Sequence, residues 1–170
     1  MKQFYAYLMG PLLVLGMAGC SKDDPTPAAP AVSAKTALLA TPKWRISAIV
    51  SAGTIAGQTI PPRDSFSGQS DCIKDNFWKF DTNLTVTQDE GALRCSPTAA
   101  QSRQATWSFN AAETEITIVD SSQPVGSLGH TVQVELLQLT STTMQIRVTN
   151  NQPVNGFSSS VTATTTYTAF

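Results

Sequence analysis

Few side chains in this chain of 170 residues could do covalent or acid–base chemistry: three cysteines and a single histidine, His130. The sequence contains no Gly-x-Ser-x-Gly turn of the kind that presents a serine nucleophile, and no glycine-rich nucleotide loop. His130 stands at the start of a predicted strand, where we expect it on the surface. The sequence therefore predicts a protein that is not an enzyme and that needs no cofactor.

Six acidic residues, half of the acids in the chain, lie between positions 64 and 90. Carboxylates could surround Ca²⁺, but these do not follow the spacing of a calcium-binding loop. We expect them in solvated turns, with no metal site, and we interpret Asp75 as the cap of a short turn after Cys72. The six are Asp64, Asp71, Asp75, Asp81, Asp89 and Glu90.

Cys20 follows an early Lys2, an apolar run and the small residues Ala18 and Gly19. This order is typical of a secretory signal peptide, and a Cys directly after the cleavage point is typical of a bacterial lipoprotein. We predict that residues 1–19 are removed and that the Cys20 thiol carries lipid. Two alternatives stay open: an ordinary secretory signal, or a membrane anchor over residues 4–19, although a span needs roughly 20 apolar residues.

The residues after Cys20 bear on where the protein is placed. Ser21-Lys22-Asp23-Asp24 resembles the Lys-acid-acid signal of surface lipoproteins in Bacteroidetes-type bacteria. An acidic second mature residue would favour retention in the inner membrane, and Ser21 occupies that position. We therefore expect a lipid-anchored protein of the outer membrane that is exposed on the cell surface.

The mature chain would carry 10 basic and 12 acidic residues. This balance lacks the basic footprint of nucleic-acid binding, and no basic cluster could hold a membrane surface without the lipid. Cys72 and Cys95 remain as an even pair in an oxidising compartment, where a disulfide is the expected outcome. A metal pair is the alternative, but it lacks further ligands.

Residues 20–41 are predicted to be the lipidated Cys and a Pro-rich tether, with either one helical turn or more linker at residues 35–40. Residues 42–170 are predicted to form one β domain. From Pro42 onward, apolar residues recur at every second position, as in half-buried strands. Residues 52–71 are predicted to be a long loop, with at most a short strand at 57–60.

About eight strands are predicted, joined mostly by short turns, so consecutive strands are antiparallel neighbours. Their sheet must curl or pair to protect its edges. The predicted inward-facing sets are Trp44, Ile46, Ala48 and Val50; Trp78 and Phe80; Leu84 and Val86; Ala105, Trp107 and Phe109; Ile116 and Ile118; Val132, Val134 and Leu136; Met144, Ile146 and Val148; and Val161, Ala163, Thr165 and Tyr167.

The order of motifs resembles the lipocalin-like domains of Bacteroidetes lipoproteins over residues 42–170. The matching motifs are Trp44, Cys72-Ile73-Lys74-Asp75-Asn76 before an aromatic strand, Ala105-Thr106-Trp107, and Leu139-Thr140-Ser141-Thr142-Thr143-Met144. The resemblance implies an antiparallel up-and-down β-barrel. Asn83 and Ala105 stand where Gly is usual, and Asn tolerates a left-handed backbone well.

Five aromatic residues are the candidates for either the walls of a ligand pocket or a filled core: Trp44, Trp78, Phe80, Trp107 and Phe109. An eight-stranded barrel either fills its interior or holds one small ligand. Fold-level analogy favours a non-enzymatic module that binds a small apolar or amphipathic ligand. The alternative is an accessory envelope protein with a filled core that contacts another surface protein. Arg45 and Arg147 are predicted either to be exposed or to anchor a ligand.

The role of Cys20 can be tested directly. We expect Cys20→Ala to give unprocessed or soluble protein, because the thiol is the predicted point of lipid attachment. Membrane fractionation and the mass of the mature chain measure this outcome. A variant that is still cleaved and still bound to the membrane would contradict the lipoprotein interpretation.

Overall fold

The computed structural model describes residues 32–122, 130–153 and 156–170, so Cys20 and the predicted signal lie outside the described residues. None of the described helices is long and apolar enough to cross a membrane. In these ranges the elements are α1 Ala34–Ala40, β1 Lys43–Ile55, β2 Gln58–Asp64, α2 Asp71–Lys74, β3 Phe77–Phe80, β4 Thr85–Asp89, β5 Ser102–Phe109, β6 Glu115–Val119, β7 Thr131–Leu139, β8 Thr143–Asn150 and β9 Ser159–Ala169.

Eight of the described strands close into an antiparallel barrel. Each strand from β3 to β8 pairs with the next one along the chain, and β1 pairs with both β3 and β9. The closing pair runs from Trp44 opposite Ala169 to Ile55 opposite Ser159. Closure removes the unpaired edges that an open sheet would present. The predicted up-and-down barrel of about eight strands is therefore confirmed.

The second edge of β1 is shared between two strands. Residues 43–45 pair with β3, whereas β2 pairs with β1 from Val50 to Ile55 and leaves the barrel. The prediction of a long loop over residues 52–71 was wrong in its first part, because that stretch forms a hairpin. Pro61 and Pro62 lie on β2, and their missing N–H groups suit an edge strand.

A β-bulge at Ser47 interrupts the pairing of β1 with β9. Ile46 pairs with Tyr167 and Ala48 pairs with Thr166, so Ser47 is an extra residue without a partner in β9. A bulge of this kind places two residues of one strand opposite one residue of its neighbour. The alternation of inward and outward side chains therefore changes phase at Ser47.

The phase change corrects the predicted inward face of β1. Trp44 is fully buried, as expected, but Val50 is 42% exposed. Beyond the bulge, Ile49 lies opposite Thr165, which lines the barrel interior, and cross-strand partners share a face. The prediction that Ala48 and Val50 continue the inward row was therefore wrong.

A second bulge lies in β7 at Leu137. Leu136 pairs with Ile146 and Leu139 pairs with Met144, with a register shift between the two pairs. Leu136 and Leu139 both pack against the core, whereas Leu137 is 38% exposed. This bulge allows two leucines that are three residues apart to face the same interior.

Helix α1 closes one end of the barrel. The Ser33 side chain caps its first turn by accepting a hydrogen bond from the Thr36 N–H at 3.0 Å. Leu39, within the segment predicted as tether, is fully buried, and its carbonyl accepts a 2.8 Å hydrogen bond from the Trp44 indole N–H. The Lys35 ammonium group donates to the Glu113 carbonyl at 2.7 Å. These contacts make the helix the floor of the barrel.

The β3–β4 hairpin places its left-handed residue at Leu84 (φ 66°), not at Asn83. The Asn83 side chain accepts hydrogen bonds from the Thr85 N–H and hydroxyl instead. Leu84 is 47% exposed and precedes β4, so the prediction that it faces inward within the strand was wrong. Asn83 therefore acts through its side-chain oxygen rather than through its backbone conformation.

The β1–β2 hairpin turns through Ala56 and Gly57, since Ile55 pairs with Gln58. Both turn residues have positive φ, 51° and 78°, as in a type I′ turn, which favours Asn-Gly. An alanine in the left-handed region costs roughly 1–2 kcal/mol. Ala56 is therefore a poor residue for the turn that it occupies.

We expect Ala56→Asn to raise the free energy of unfolding by about 0.5–1 kcal/mol, which corresponds to a few degrees in Tm. Gly57→Ala is the matched control and should lower Tm, because alanine is strained at the positive φ of this position. The added Cβ meets no atom within 4 Å, so the backbone conformation alone would cause the loss. Thermal unfolding followed by circular dichroism measures both. Equal Tm values for the two variants would contradict the assigned turn.

Candidate functional site

The barrel encloses a cavity of about 560 Å³. Apolar side chains from the inward faces of β3 to β8 form most of its wall, and polar side chains occupy a few positions. A pocket of this volume falls within the range of sites for small molecules. The apolar wall residues are Trp78, Phe80, Val86, Ala105, Ile116, Ile118, Val132, Val134, Met144, Ile146 and Val148.

The five predicted aromatic residues divide between the cavity and the core beneath it. Trp78 and Phe80 line the cavity, whereas Trp44 and Trp107 are buried in the core, at 0% and 2% exposure. Phe109 packs against that core. The Trp107 ring meets Phe80 and Phe109 edge-to-face, with centroids 5.5 and 5.3 Å apart. The aromatic set therefore builds both a filled floor and part of a pocket wall.

Three of the polar side chains that line the cavity lie toward its end away from the floor. Across β3, β4 and β5, Trp78 pairs with Gln88 and Gln88 pairs with Arg103, and all three line the cavity. Asp120 lines it as well, and its carboxylate accepts hydrogen bonds from the Ser122 N–H and hydroxyl. We call Gln88, Arg103 and Asp120 the mouth residues.

Arg103 is the exposed cation among the mouth residues. It makes no hydrogen bond or ion pair with any residue that the structure describes. Sequence reasoning did not select Arg103, because the predicted inward row of β5 was begun at Ala105. The alternation through Ala105 and Trp107 was the available signal, since Arg103 continues that row.

The arginines that the sequence did single out lie outside the cavity. Arg147 forms a two-pronged hydrogen-bonded pair with Glu135, at 2.8 and 2.7 Å, on exposed side chains of β7 and β8. The Arg45 guanidinium lies over the Phe170 ring, 4.1 Å from its centroid. Neither side chain lines the cavity. Both side chains therefore lie on the outer face of the barrel.

A disulfide joins two of the segments around the mouth. Cys72 in α2 is bonded to Cys95 in the β4–β5 loop, with the Cα atoms 5.2 Å apart, so the predicted pairing is confirmed. The Asp75 carboxylate accepts hydrogen bonds from the N–H groups of Ala92 and Leu93, each at 2.8 Å. The Asp75 carboxylate therefore holds the β4–β5 loop. The residue itself is the C-cap of α2, at the end of the turn after Cys72.

Gly91 allows this contact between the two segments. Its φ is +69°, and a Cβ at this position would lie 2.5 Å from the Asp75 carbonyl oxygen. The Gln101 side chain donates to the Gly91 carbonyl at 2.8 Å and to the Asp89 carboxylate at 2.9 Å. The disulfide and these hydrogen bonds together fix one side of the mouth.

Two of the acidic residues that the sequence placed in turns, Asp64 and Asp89, accept hydrogen bonds from nearby N–H groups. The N–H groups of Phe66 and Ser67 donate to the Asp64 carboxylate, at 2.7 and 3.1 Å, and hold the pKa of Asp64 below its usual value. Asp89 accepts from the Gly91 N–H. Over the described ranges, no three His, Cys, Asp or Glu side chains come close enough to hold a metal ion.

No family model matches the chain, and no curated protein matches it. Among solved structures, the chain is similar to the crystal structure of a lipocalin-like protein from Bacteroides uniformis ATCC 8492, with 11% identity and a TM-score of 0.43. The similarity covers 78% of this chain and 99% of that chain. At this level of similarity, the properties of that protein do not transfer to this chain.

We expect Cys72→Ser to lower Tm by several degrees, because the lost bridge closes a loop of 23 residues, worth roughly 3 kcal/mol in the chain-entropy account. The double variant Cys72→Ser/Cys95→Ser has no unpaired thiol, so it controls for effects of the free Cys95 thiol in the single variant. We expect the double and single variants to have the same Tm. Alkylation of the unreduced, unfolded protein should leave both cysteines unmodified. Two modified cysteines in that experiment would contradict the disulfide.

Proposed function

We propose that the chain is a lipid-anchored protein of the outer membrane, exposed on the cell surface, whose barrel binds a small amphipathic ligand without catalysing a reaction. The cavity of about 560 Å³ is the observation that carries the binding proposal. The anchoring proposal has a separate basis in Cys20 and in Lys22-Asp23-Asp24. The two parts can therefore be tested independently.

The cavity distinguishes the two functions considered from the sequence. A filled interior would favour a protein that only contacts partners, whereas an apolar cavity above roughly 300 Å³ favours a small ligand. The barrel is filled only at its floor, where Trp44 and Trp107 pack. Above that floor, Ala105 and a wall of aliphatic side chains leave the space open.

The distribution of polar groups supports an amphipathic ligand. Burial of an apolar body against the wall would be favourable by about 25 cal/mol per Å² of apolar surface removed from water. Gln88 and Arg103 lie on the same cavity at the mouth, where a polar head group could keep its hydrogen bonds. A ligand with one apolar and one polar end fits both surroundings.

An aromatic cluster on the outer wall supports a second candidate function, contact with another envelope protein. Phe77 and Phe170 meet edge-to-face, with centroids 5.7 Å apart, and Phe170 is 55% exposed. The Lys43 ammonium lies 4.5 Å from the centroid of the Phe77 ring. Aromatic residues and arginine, here the Arg45 guanidinium over the Phe170 ring, are enriched in protein interfaces.

The binding proposal is tested with the fluorescent probe anilinonaphthalene sulfonate, which has an apolar body and an anionic head. We expect saturable binding to the folded protein, with energy transfer from tryptophan, because Trp78 lines the cavity. Ala105→Phe should weaken binding by about tenfold or more, a loss near 1.4 kcal/mol, since the ring would occupy the cavity.

Thr106→Phe is the matched control. Thr106 is the next residue of β5 and is exposed, so the same ring is added outside the barrel and should leave probe affinity unchanged. Equal Tm values for the two variants exclude a difference in folding. Equal weakening by both variants, or no effect of either, would contradict binding within the barrel.

A further inference from the structure

Tyr167 lies near the closed end of the cavity. It belongs to β9, two residues before the end of that strand at Ala169. Its cross-strand neighbours are Ile46 of β1 and Met144 of β8. The side chain is 7% exposed and lines the cavity. Tyr167 therefore lies between two apolar cross-strand neighbours, near the end of β9 that pairs with Trp44 at the floor.

The Tyr167 hydroxyl makes no hydrogen bond with any residue in the described part of the chain. The other large polar rings of the core are satisfied: the Trp44 indole donates to the Leu39 carbonyl and the Trp107 indole to the Asp81 carbonyl. A buried donor without a partner costs free energy. Tyr167 therefore presents to the cavity a hydroxyl that a ligand group could satisfy.

The hydroxyl can act only as a protonated group under ordinary conditions. Burial raises the pKa of Tyr167 to about 12, because the apolar surroundings disfavour the phenolate. The group therefore keeps its proton at neutral pH and offers an O–H donor. A neutral acceptor oxygen is the matching group, since a charge so deep in the cavity would lose its hydration.

We propose that the Tyr167 hydroxyl donates a hydrogen bond to a carbonyl oxygen on the buried end of the ligand. The ligand class is thus an amphipathic molecule. Its apolar end carries a neutral carbonyl and lies at the closed end of the cavity, and its more polar end lies at the mouth. The proposal rests on the proposed binding function and adds the chemistry of the buried end. A ligand with a purely hydrocarbon end would leave the hydroxyl unsatisfied.

The test compares acetylnaphthalene with isopropenylnaphthalene, which have nearly the same shape but differ in the carbonyl oxygen. Each displaces bound anilinonaphthalene sulfonate from the full chain. We expect acetylnaphthalene to bind about fivefold to tenfold more tightly. In Tyr167→Phe, which keeps the ring, this preference should disappear, while isopropenylnaphthalene binds as before or more tightly.

Thr165→Val is the control, because Thr165 is the other hydroxyl residue of β9 on the cavity wall. Removal of its hydroxyl should leave the carbonyl preference intact. Loss of the preference in both variants, or in neither, would overturn the role of Tyr167.

A second measurement leaves Tyr167 in place, so it does not depend on how the variant folds. The chain has three tyrosines, and since Tyr5 and Tyr7 lie in the predicted signal, Tyr167 is the single tyrosine of the mature protein. Isotope-labelled tyrosine then gives one ring signal in NMR. We expect acetylnaphthalene to shift the signal of the carbon that bears the hydroxyl, and isopropenylnaphthalene to shift it much less.

The outcomes separate the two proposals. If neither the naphthalenes nor anilinonaphthalene sulfonate bind, the proposed binding function fails, and the proposal for Tyr167 fails with it. If both naphthalenes bind equally and shift the tyrosine signal equally, the binding function stands and the carbonyl proposal is overturned. In that case water in the cavity satisfies the hydroxyl.

Discussion

The pairing of β1 with β9 is the constraint on which the rest of the structure depends. It joins the first and last strands along almost their whole length, and without it the sheet would be open at β1 and β9. The other edge of β1 contributes only residues 43–45 to the barrel, through β3. Trp44 lies in both pairings and holds the floor helix through the Leu39 carbonyl. Barrel closure and the floor therefore meet at one fully buried side chain.

The cavity follows from where the large side chains lie. Trp107, Phe80 and Phe109 interlock through edge-to-face contacts near the floor, which fills that end of the barrel with rings. Farther along β5, Ala105 occupies an inward position where a larger side chain would reach toward the opposite wall. A protein interior is normally packed without voids of this size. The cavity of about 560 Å³ therefore results from the small size of some inward side chains and not from the barrel geometry alone.

The sequence was sufficient for the fold class and for the disulfide, because alternation and an even cysteine pair are local signals. It was insufficient where one residue changes the phase of a strand. Ser47 and Leu137 are bulge residues, and the predicted alternation did not include an insertion at either position. The same limit applies to the candidate site. Trp78 and Phe80 were recognisable as candidate wall residues, but the roles of Arg103 and Tyr167 depend on strand register and on the space that their neighbours leave.

The partnership of β1 and β9 also bears on how the chain reaches its folded state. The two strands are separated by more than 100 residues in the sequence, so their contacts close a very long loop, and proteins rich in such contacts fold slowly. Hairpins such as β3–β4 and β7–β8 can form early from local contacts, but the barrel cannot close until β9 is available. Until then, β1 and β8 each expose an edge able to pair with another chain. The interval before closure is therefore when the polypeptide is most vulnerable to aggregation.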